Sequence, residues 1–284
     1  MNKYTLADFE SEFPDDNVCL EWILSHRYPN GVHCPICDKV TKHHKVAKRP
    51  CYECDNCGHQ VYPTAGTIFH KSTTPLKVWF QVIYRMASTR CGISAKQIER
   101  ETGVTYKTAW RMFKQVRILL SENFWYLTGE VEVDETYIGG KRSGKRGRGA
   151  EGKTKVVGAV QRKGSVTTAI VPDVKRSTLT PFIEKNVSRK SILYTDEFQS
   201  YDHLTKLGYN HFRIQHGIGQ YVRGSIHTNN IEGFWSLMKR GISGVYHAVS
   251  PKYLQYYIDE YAFRYNHRRD EIPMFKLFLN RIQA

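Results

Sequence analysis

The sequence predicts an α/β chain whose strand-rich half follows a small metal-stapled segment and a helical one. Three observations carry this. Two Cys-x-x-Cys pairs fall between residues 34 and 57, and a helical apolar periodicity occupies residues 75–120. From residue 129 short apolar or alternating runs separated by turn residues take over, until helices return beyond residue 228. A chain of 284 residues has room for one large domain or two to three small ones with a real core. Its formal charge of +15 favours polyanionic partners, because each phosphate that is neutralised releases counterions.

The opening "MNKYTLADFESEFPDD" turns acidic where the apolar core of a secretory signal would follow, and no apolar run is long enough to span a bilayer. The expectation is a soluble, intracellular, cytoplasmic chain. That compartment disfavours structural disulfides for the seven cysteines and favours metal ligation.

Taken in order, residues 1–30 read as a helical lead with Leu6, Phe9, Phe13, Cys19, Leu20, Trp22 and Ile23 on its apolar face. Residues 31–72 form the cysteine-rich segment. Residues 73–122 are helical: "PLKVWFQVIYRMAS" starts with Pro75 in a first-turn position and repeats Leu76, Trp79, Phe80, Ile83 and Tyr84 at helical spacing. Residues 123–284 carry the strands "EVEVDETYIGG", "KVVGAVQRKG" and "SVTTAIVP", a helix beginning at "TLTPFIEKNV", the strand "SILYTDEF", and closing helices. In the last of these, Tyr253, Leu254, Tyr257, Ile258 and Tyr261 have core spacing, which reads as packing rather than base stacking.

Cys34-Pro-Ile-Cys37 and Cys54-Asp-Asn-Cys57 are separated by 16 residues. Two tight knuckles giving two thiolates each supply the tetrahedron that Zn²⁺ needs, with no position left for water, so the zinc is architectural. Gly58 suits the second knuckle; Cys51 fits less well, and His33 and His59 stand beside the pairs as solvent-facing or supporting residues. A ribbon this small draws its folding energy from the metal.

"SAKQIERETGVTYKTAWRMFKQVR" has the pattern of a helix–turn–helix. Ser94 with Gln97 forms a capping box, Gly103 permits the left-handed turn, and Thr105 caps the second helix. Ile98, Val104, Ala109 and Met112 or Phe113 make a small core. Tyr106, Lys107, Arg111 and Lys114 are left outward, as a helix entering a major groove requires. Glu99 departs from the pattern, which has a small residue there, and an ordinary helical hairpin satisfies the same spacing.

Asp134 ends the run "EVEVD" and Asp196 lies in "ILYTDEF". Strands lying side by side would bring both to shared divalent cations. Glu232 comes three residues after Asn229, where a helix is expected to start with Asn229 as its cap. Three hard oxygen ligands suit Mg²⁺, or Mn²⁺, and two such ions can activate a hydroxyl and stabilise a leaving oxygen. Glu132, Glu135 and Glu197 remain alternative ligands, and each Asp-Glu dipeptide also suits a strand-end turn. Lys239 lies seven residues beyond Glu232, close to two turns, so both share one helix face about 10 Å apart.

"VEVDETYIGG", "YTDEFQSY" and "HTNNIEGFWSLMKRGISGVYHAVSPKYLQYYIDEYAFRYNHRR" together resemble the DDE insertion-sequence transposases of the ISXO-like group. The resemblance extends from the cysteine pairs through "RYNHRR". It implies a zinc ribbon ahead of an RNase H-like catalytic domain, a mixed sheet flanked by helices. It implies Asp134, Asp196 and Glu232 as the metal triad and Lys239 as a contact to transposon-end DNA. The partners implied are terminal inverted repeats and target DNA, with at least a dimer when two ends are paired. Members vary at the third acidic position, so Asn229 and Asn230 stay candidates, as does His227.

The basic, glycine-rich loop with Lys141, Arg142, Lys145, Arg146, Arg148, Lys153 and Lys155 against Glu151 is expected to be mobile and to order on a phosphate backbone. Arg264, His267, Arg268 and Arg269 add a second basic group. A nuclease without strand transfer would need the same metal site. A non-catalytic regulator would not need all three acids, which this chain retains.

Overall fold

The computed structural model describes residues 4–122, 126–139, 152–214 and 227–282. The chain divides into two compact units, Met1–Leu119 with Asp270–Ala284, and Leu120–Arg269. Among the described residues no helix is long and apolar enough to cross a membrane.

In the first unit, α1 (Leu6–Glu12) opens with a Thr5–Asp8 capping box and α2 (Asp16–Arg27) is capped by the Asp15 carboxylate. Phe9, Phe13, Leu20 and Ile23 are buried, whereas Leu6 of the expected apolar face is exposed. The ribbon follows as a short pair, β1 (His33–Cys34) with β2 (Lys39–Val40), and an antiparallel three-stranded sheet of β3 (His43–Lys45), β4 (Tyr52–Cys54) and β5 (Gln60–Val61). Arg27, at the end of α2, donates to the carbonyls of Pro63 and Ala65 and so pins the segment leaving the ribbon. Then come α3 (Leu76–Ser88), α4 (Ala95–Thr102) and α5 (Tyr106–Leu119). The C-terminal helix Met274–Asn280 packs on α3, with Phe275 against Phe9, Phe13 and Tyr84 at ring separations of 5.7–5.9 Å. The sequence placed this helix with residues 123–284; its aromatic partners lie at the other end of the chain, which no local pattern displays.

The second unit is built on one five-stranded sheet. Strands β6 (Glu130–Ile138), β7 (Thr154–Gln161) and β8 (Val166–Val171) form an antiparallel meander. After α6 (Arg176–Asn186), β9 (Ile192–Thr195) adds parallel to β6, and β10 (Asn210–Arg213) adds parallel to β9, giving the order β10-β9-β6-β7-β8. This mixed sheet with helices on both faces is the RNase H-like arrangement. Strand alternation supplies two cores. Val131, Val133, Val157 and Ala159 pack with Leu179 and Ile183 of α6. On the opposite face Val156, Val160 and Val166 pack with Ile231, Phe234, Trp235 and Met238 of α7 (Asn229–Gly241) and with Leu254, Ile258 and Tyr261 of α8 (Pro251–Asn266). Three of the α8 residues read as core are thus core.

The joint between β6 and α7 is polar. Glu132 on β6 is fully buried and accepts from the backbone N–H groups of Asn230 (2.8 Å) and Ile231 (3.1 Å), the Asn230 amide (2.7 Å) and Arg162 Nε (2.8 Å). The helix is therefore capped from a strand, not by Asn229, which is its first helical residue. Arg162 also donates to Glu130 and the His227 carbonyl and lies 4.1 Å over the Tyr194 ring. Breaking a buried, hydrogen-bonded ion pair from one side strands the other charge and costs about 3–5 kcal/mol. Glu132→Ala should lower the unfolding free energy by that order in urea titration, and Glu132→Gln, which keeps an acceptor for the helix, by clearly less.

Candidate active site

Asp134 is not the last residue of its strand: β6 continues to Ile138, and Asp134 sits at its centre on the α7 face. The parallel register pairs Glu132 with Tyr194; carried two residues further, it sets Asp134 level with Asp196, just past the end of β9. Asp196 is held by the Phe198 N–H at 3.0 Å. One carboxylate oxygen from each of Asp134, Glu135 and Asp196 lies within 4.8 Å of the others. Alternation sends Glu135 to the opposite face from Asp134, where the buried Tyr201 hydroxyl donates to it at 2.9 Å. Asp196 follows the last residue of its strand, and both neighbours reach it.

Helix α7 forms the other wall. Asp134, Glu135 and Thr136 line an open cleft of about 560 Å³ together with Glu232, Trp235, Ser236, Lys239, Arg240 and Ser243. Glu232 and Lys239 thus share the cleft-facing side of the helix. Glu232 stands outside the close trio of carboxylates and accepts from the Thr228 hydroxyl at 2.7 Å. Trp235 Nε1 donates to Asp134 at 3.1 Å. Its indole fits there because Gly158, opposite Asp134 on β7, has no side chain; a Cβ would stand 2.7 Å from the ring.

Burial raises the Asp134 carboxyl to about 7, and the charges of Glu135, Asp196 and Glu232 add to it. Loss of water around the Lys239 ammonium lowers its pKa; Asp134 opposes this and Lys153 adds to it. An octahedral Mg²⁺ with oxygens at about 2.1 Å places neighbouring oxygens about 3 Å apart. The clustered acids offer such an ion hard oxygen donors gathered within 4.8 Å of one another.

The residues considered as auxiliary ligands are placed elsewhere. His227 Nδ1 is 3.2 Å from Glu132 Oε1, out of line for a hydrogen bond, and Asn230 is spent on Glu132. Both line, with Asn229, a separate cavity at the start of β6. Glu197 is exposed outside the trio.

The cysteine site assembles as the spacing requires. The four Sγ atoms of Cys34, Cys37, Cys54 and Cys57 lie within 4.8 Å of one another, with Cys34–Cys57 at 3.5 Å and Cys37–Cys54 at 3.9 Å. A zinc tetrahedron with bonds of about 2.3 Å has edges of about 3.8 Å, so the set fits. Gly58 takes φ +71°, and its N–H closes the knuckle on the Cys54 carbonyl. The Thr41 hydroxyl, 3.1 Å from Cys54, and the knuckle N–H groups hold that thiol down to about 6. Cys51 is buried apart from the set.

The helix pair α4–α5 turns at Gly103, φ +73°, and buries Ile98, Ala109 and both Met112 and Phe113, while Val104 is half-buried. Ser94 caps α4, and Thr105 accepts from the Thr108 N–H. Glu99, the departure from the pattern, accepts from the Tyr106 N–H at 3.0 Å and so caps α5. Tyr106, Lys107 and Arg111 are exposed and Lys114 is half-buried. Lys141, Arg142, Lys145, Arg146 and Arg148 lie outside the described residues; Lys153 and Lys155 are half-buried. Arg264 pairs with Glu260, His267 with Glu122, Arg268 stacks on Tyr265, and Arg269 donates to the Lys163 carbonyl.

Sequence reading missed Tyr201 and Trp235 as supports of the carboxylates, and Glu132 as the cap. Tyr201 follows Asp196 by five residues, and Trp235 is one turn from both Glu232 and Lys239. Those spacings were the available signals.

A zinc ribbon ahead of an RNase H-like sheet that carries a carboxylate cleft defines a chain of the DDE transposase class. Residues 126–266 match the ISXO2-like transposase domain family, and residues 14–60 match the transposase zinc-ribbon domain, together well over half of the chain. An uncharacterized protein in transposable element ISH50 of Halobacterium salinarum is 29% identical over 76% of this chain and 80% of its own length. An uncharacterized transposase-like protein of Haemophilus influenzae is 35% identical over 37% of this chain and 83% of its own length. Among solved structures, the chain shows a distant likeness to a protein of a pre-cleavage Mos1 transpososome: 13% identity, TM-score 0.28, 70% of this chain and 76% of that one. The chain belongs to the ISXO2-like transposase family.

Two outcomes test the geometry. Gly158→Ala should displace Trp235, shift its fluorescence and cost about 1–3 kcal/mol in denaturant titration, the usual range for overpacking. Cys37→Ser, or exposure to a chelator, should drop zinc below one atom per chain and open residues 31–70 to protease, with the RNase H-like unit still resistant.

Proposed function

We propose that the chain is the transposase of an insertion sequence, cutting DNA at the element's ends with water and joining the resulting 3′-hydroxyl to target DNA. The observation that supports this reading is the clustering of the Asp134, Glu135 and Asp196 carboxylates beside a cleft that Asp134 and Glu135 line opposite Glu232 and Lys239. In this reading Asp134, Asp196 and Glu232 hold Mg²⁺ or Mn²⁺, and Glu135 is a further oxygen donor in reach. When bound, the ions activate the attacking hydroxyl and stabilise the leaving oxygen of an in-line displacement. The chain's own groups position everything else. Tyr201 and Trp235 aim their carboxylates, and Lys239 meets the phosphodiester backbone. Tyr106, Lys107, Arg111 and Lys114 read or hold the duplex, with Lys141, Arg142, Lys145, Arg146 and Arg148 added on the backbone.

A strand-transfer assay with a pre-cut terminal repeat tests this. Wild type should join it to target DNA. Asp134→Asn and Asp196→Asn should each reduce joining by more than the roughly 10–100-fold that loss of a supporting group costs. Joining at the wild-type rate in either variant overturns the assignment. Hydrolysis without joining by wild type would make the chain a nuclease, and binding without turnover a regulator.

The raised Asp134 carboxyl fixes a pH dependence. Between its ordinary 3.8 and about 7 the folded, metal-free chain holds a proton that the unfolded chain has lost. Its stability therefore falls as pH rises through that window. A metal must displace that proton, so apparent Mn²⁺ affinity should fall about tenfold per pH unit below 7. Calorimetry in buffers of different ionisation heat should show close to one proton released at about pH 6 and almost none at about pH 8.

A further inference from the structure

Beyond the cleft of carboxylates, the first unit contains a second, larger cavity of about 660 Å³. One wall is α2, with Asp16, Asn17 and Leu20; the others are the β3–β4 turn and residues 62–76. Its apolar lining includes the buried Leu20, Phe69 and Leu76, and Tyr62 stands 43% exposed among the lining residues.

The charge lining this cavity is one-sided. Lys45, Lys48, Arg49 and Lys71 line it, with His70 beside them. The one acid in the lining, Asp16, accepts from the Lys77 backbone N–H. Among the described residues Lys48, Arg49 and Lys71 have no ion-pair partner, and all three are exposed. Two of them sit in backbone that L residues with side chains avoid: Lys48 has φ +61° and Lys71 φ +52°. Glycine or asparagine would relax such positions, so lysine there carries a local backbone cost. Neither the zinc ligands nor the aromatic core needs these side chains.

The cavity also connects to the helix pair within the same unit. Ser72 on its wall accepts from Trp79 Nε1 at 2.9 Å, and Arg111 of α5 reaches the same hydroxyl at 3.4 Å while lying 5.6 Å over the Trp79 ring. Lys71 and Arg111 therefore border one seam. Through Ser72, Arg111 of α5 thus stands next to the segment 70–72 that lines the cavity.

We propose that this cavity is a second DNA-contact site, taking the phosphate backbone of duplex DNA on Lys48, Arg49 and Lys71 alongside the segment held by α5. The proposal rests on the DNA-binding reading given above. Charge complementarity selects the occupant: unpartnered cations beside an apolar lining repel a basic partner and fit a polyanion whose sugars are apolar-faced. A phosphate contact carries no sequence information, so this site positions the duplex and leaves reading to α5.

The test is the salt dependence of binding by the full, zinc-loaded chain to a fluorescein-labelled mixed-sequence duplex of about 30 base pairs. Each phosphate contact contributes about 0.9 to the slope of log affinity against log salt. Lys48→Gln/Arg49→Gln/Lys71→Gln should lower that slope by about 2–3 and weaken binding at least about tenfold near 0.1 M salt. Zinc content and melting temperature report whether the triple variant folds. Should it lose zinc, the single changes Lys48→Gln and Lys71→Gln each carry the same reading, a slope lower by about 0.9. An unchanged slope in folded variants, with wild type binding normally, overturns the cavity site and leaves the DNA-binding reading intact. Failure of wild type to bind any duplex overturns both.

Discussion

A buried carboxylate on the central strand, Glu132, sets the position of everything that faces the cleft. A lone ionised carboxylate without water is costly, yet Glu132 accepts from four donors: two helix N–H groups, the Asn230 amide and Arg162. The donors come from two places, the start of α7 and the end of β7, so the bond set fixes α7 against the sheet in angle and register at once. Two residues up the strand is Asp134; one turn and three turns up the helix are Glu232 and Lys239. The wall of the cleft is thus built outward from one polar joint. The apolar contacts of Ile231, Phe234, Trp235 and Met238 press the same helix onto the sheet without specifying its sliding position so sharply.

The cleft itself is electrostatically strained. Three carboxylates lie within a few ångströms, and burial together with the neighbouring charges pushes Asp134 up to about 7. Tyr201 and Trp235 offer neutral N–H and O–H donors, which aim oxygens without cancelling charge. A divalent cation is the group that would relieve this arrangement. The ribbon is the opposite case: four thiols in a closed tetrahedron leave no open position, so its metal does structural work. Soft donors in a closed set and hard donors at an open cleft divide the two tasks by chemistry.

What could be read in the sequence follows from the range of each interaction. The cysteine pairs, the turn at Gly103 and the shared face of Glu232 and Lys239 are local patterns, and the structure shows each. The strand aspartates were visible as residues, but their side-by-side placement depends on a parallel register set by residues 62 apart. Glu135's partner Tyr201 is 66 positions away and the cap of α7 is 98 away, beyond any periodicity argument. The same holds for Phe275, whose aromatic neighbours are near the start of the chain. Glu99 is instructive in reverse: it broke the expected small-residue rule because it serves as a cap for α5, a role the rule does not contain.

A first-turn carboxylate such as Glu232 can either satisfy helix N–H groups or hold a metal, and the joint at Glu132 separates the two roles. The first-turn N–H groups of α7 already have an acceptor from the strand, so the Glu232 carboxylate is not needed to satisfy them. It stays in the first turn, where the helix dipole favours an anion, and accepts from the Thr228 hydroxyl. The strand's cap thereby relieves the helix's own acid of satisfying those N–H groups.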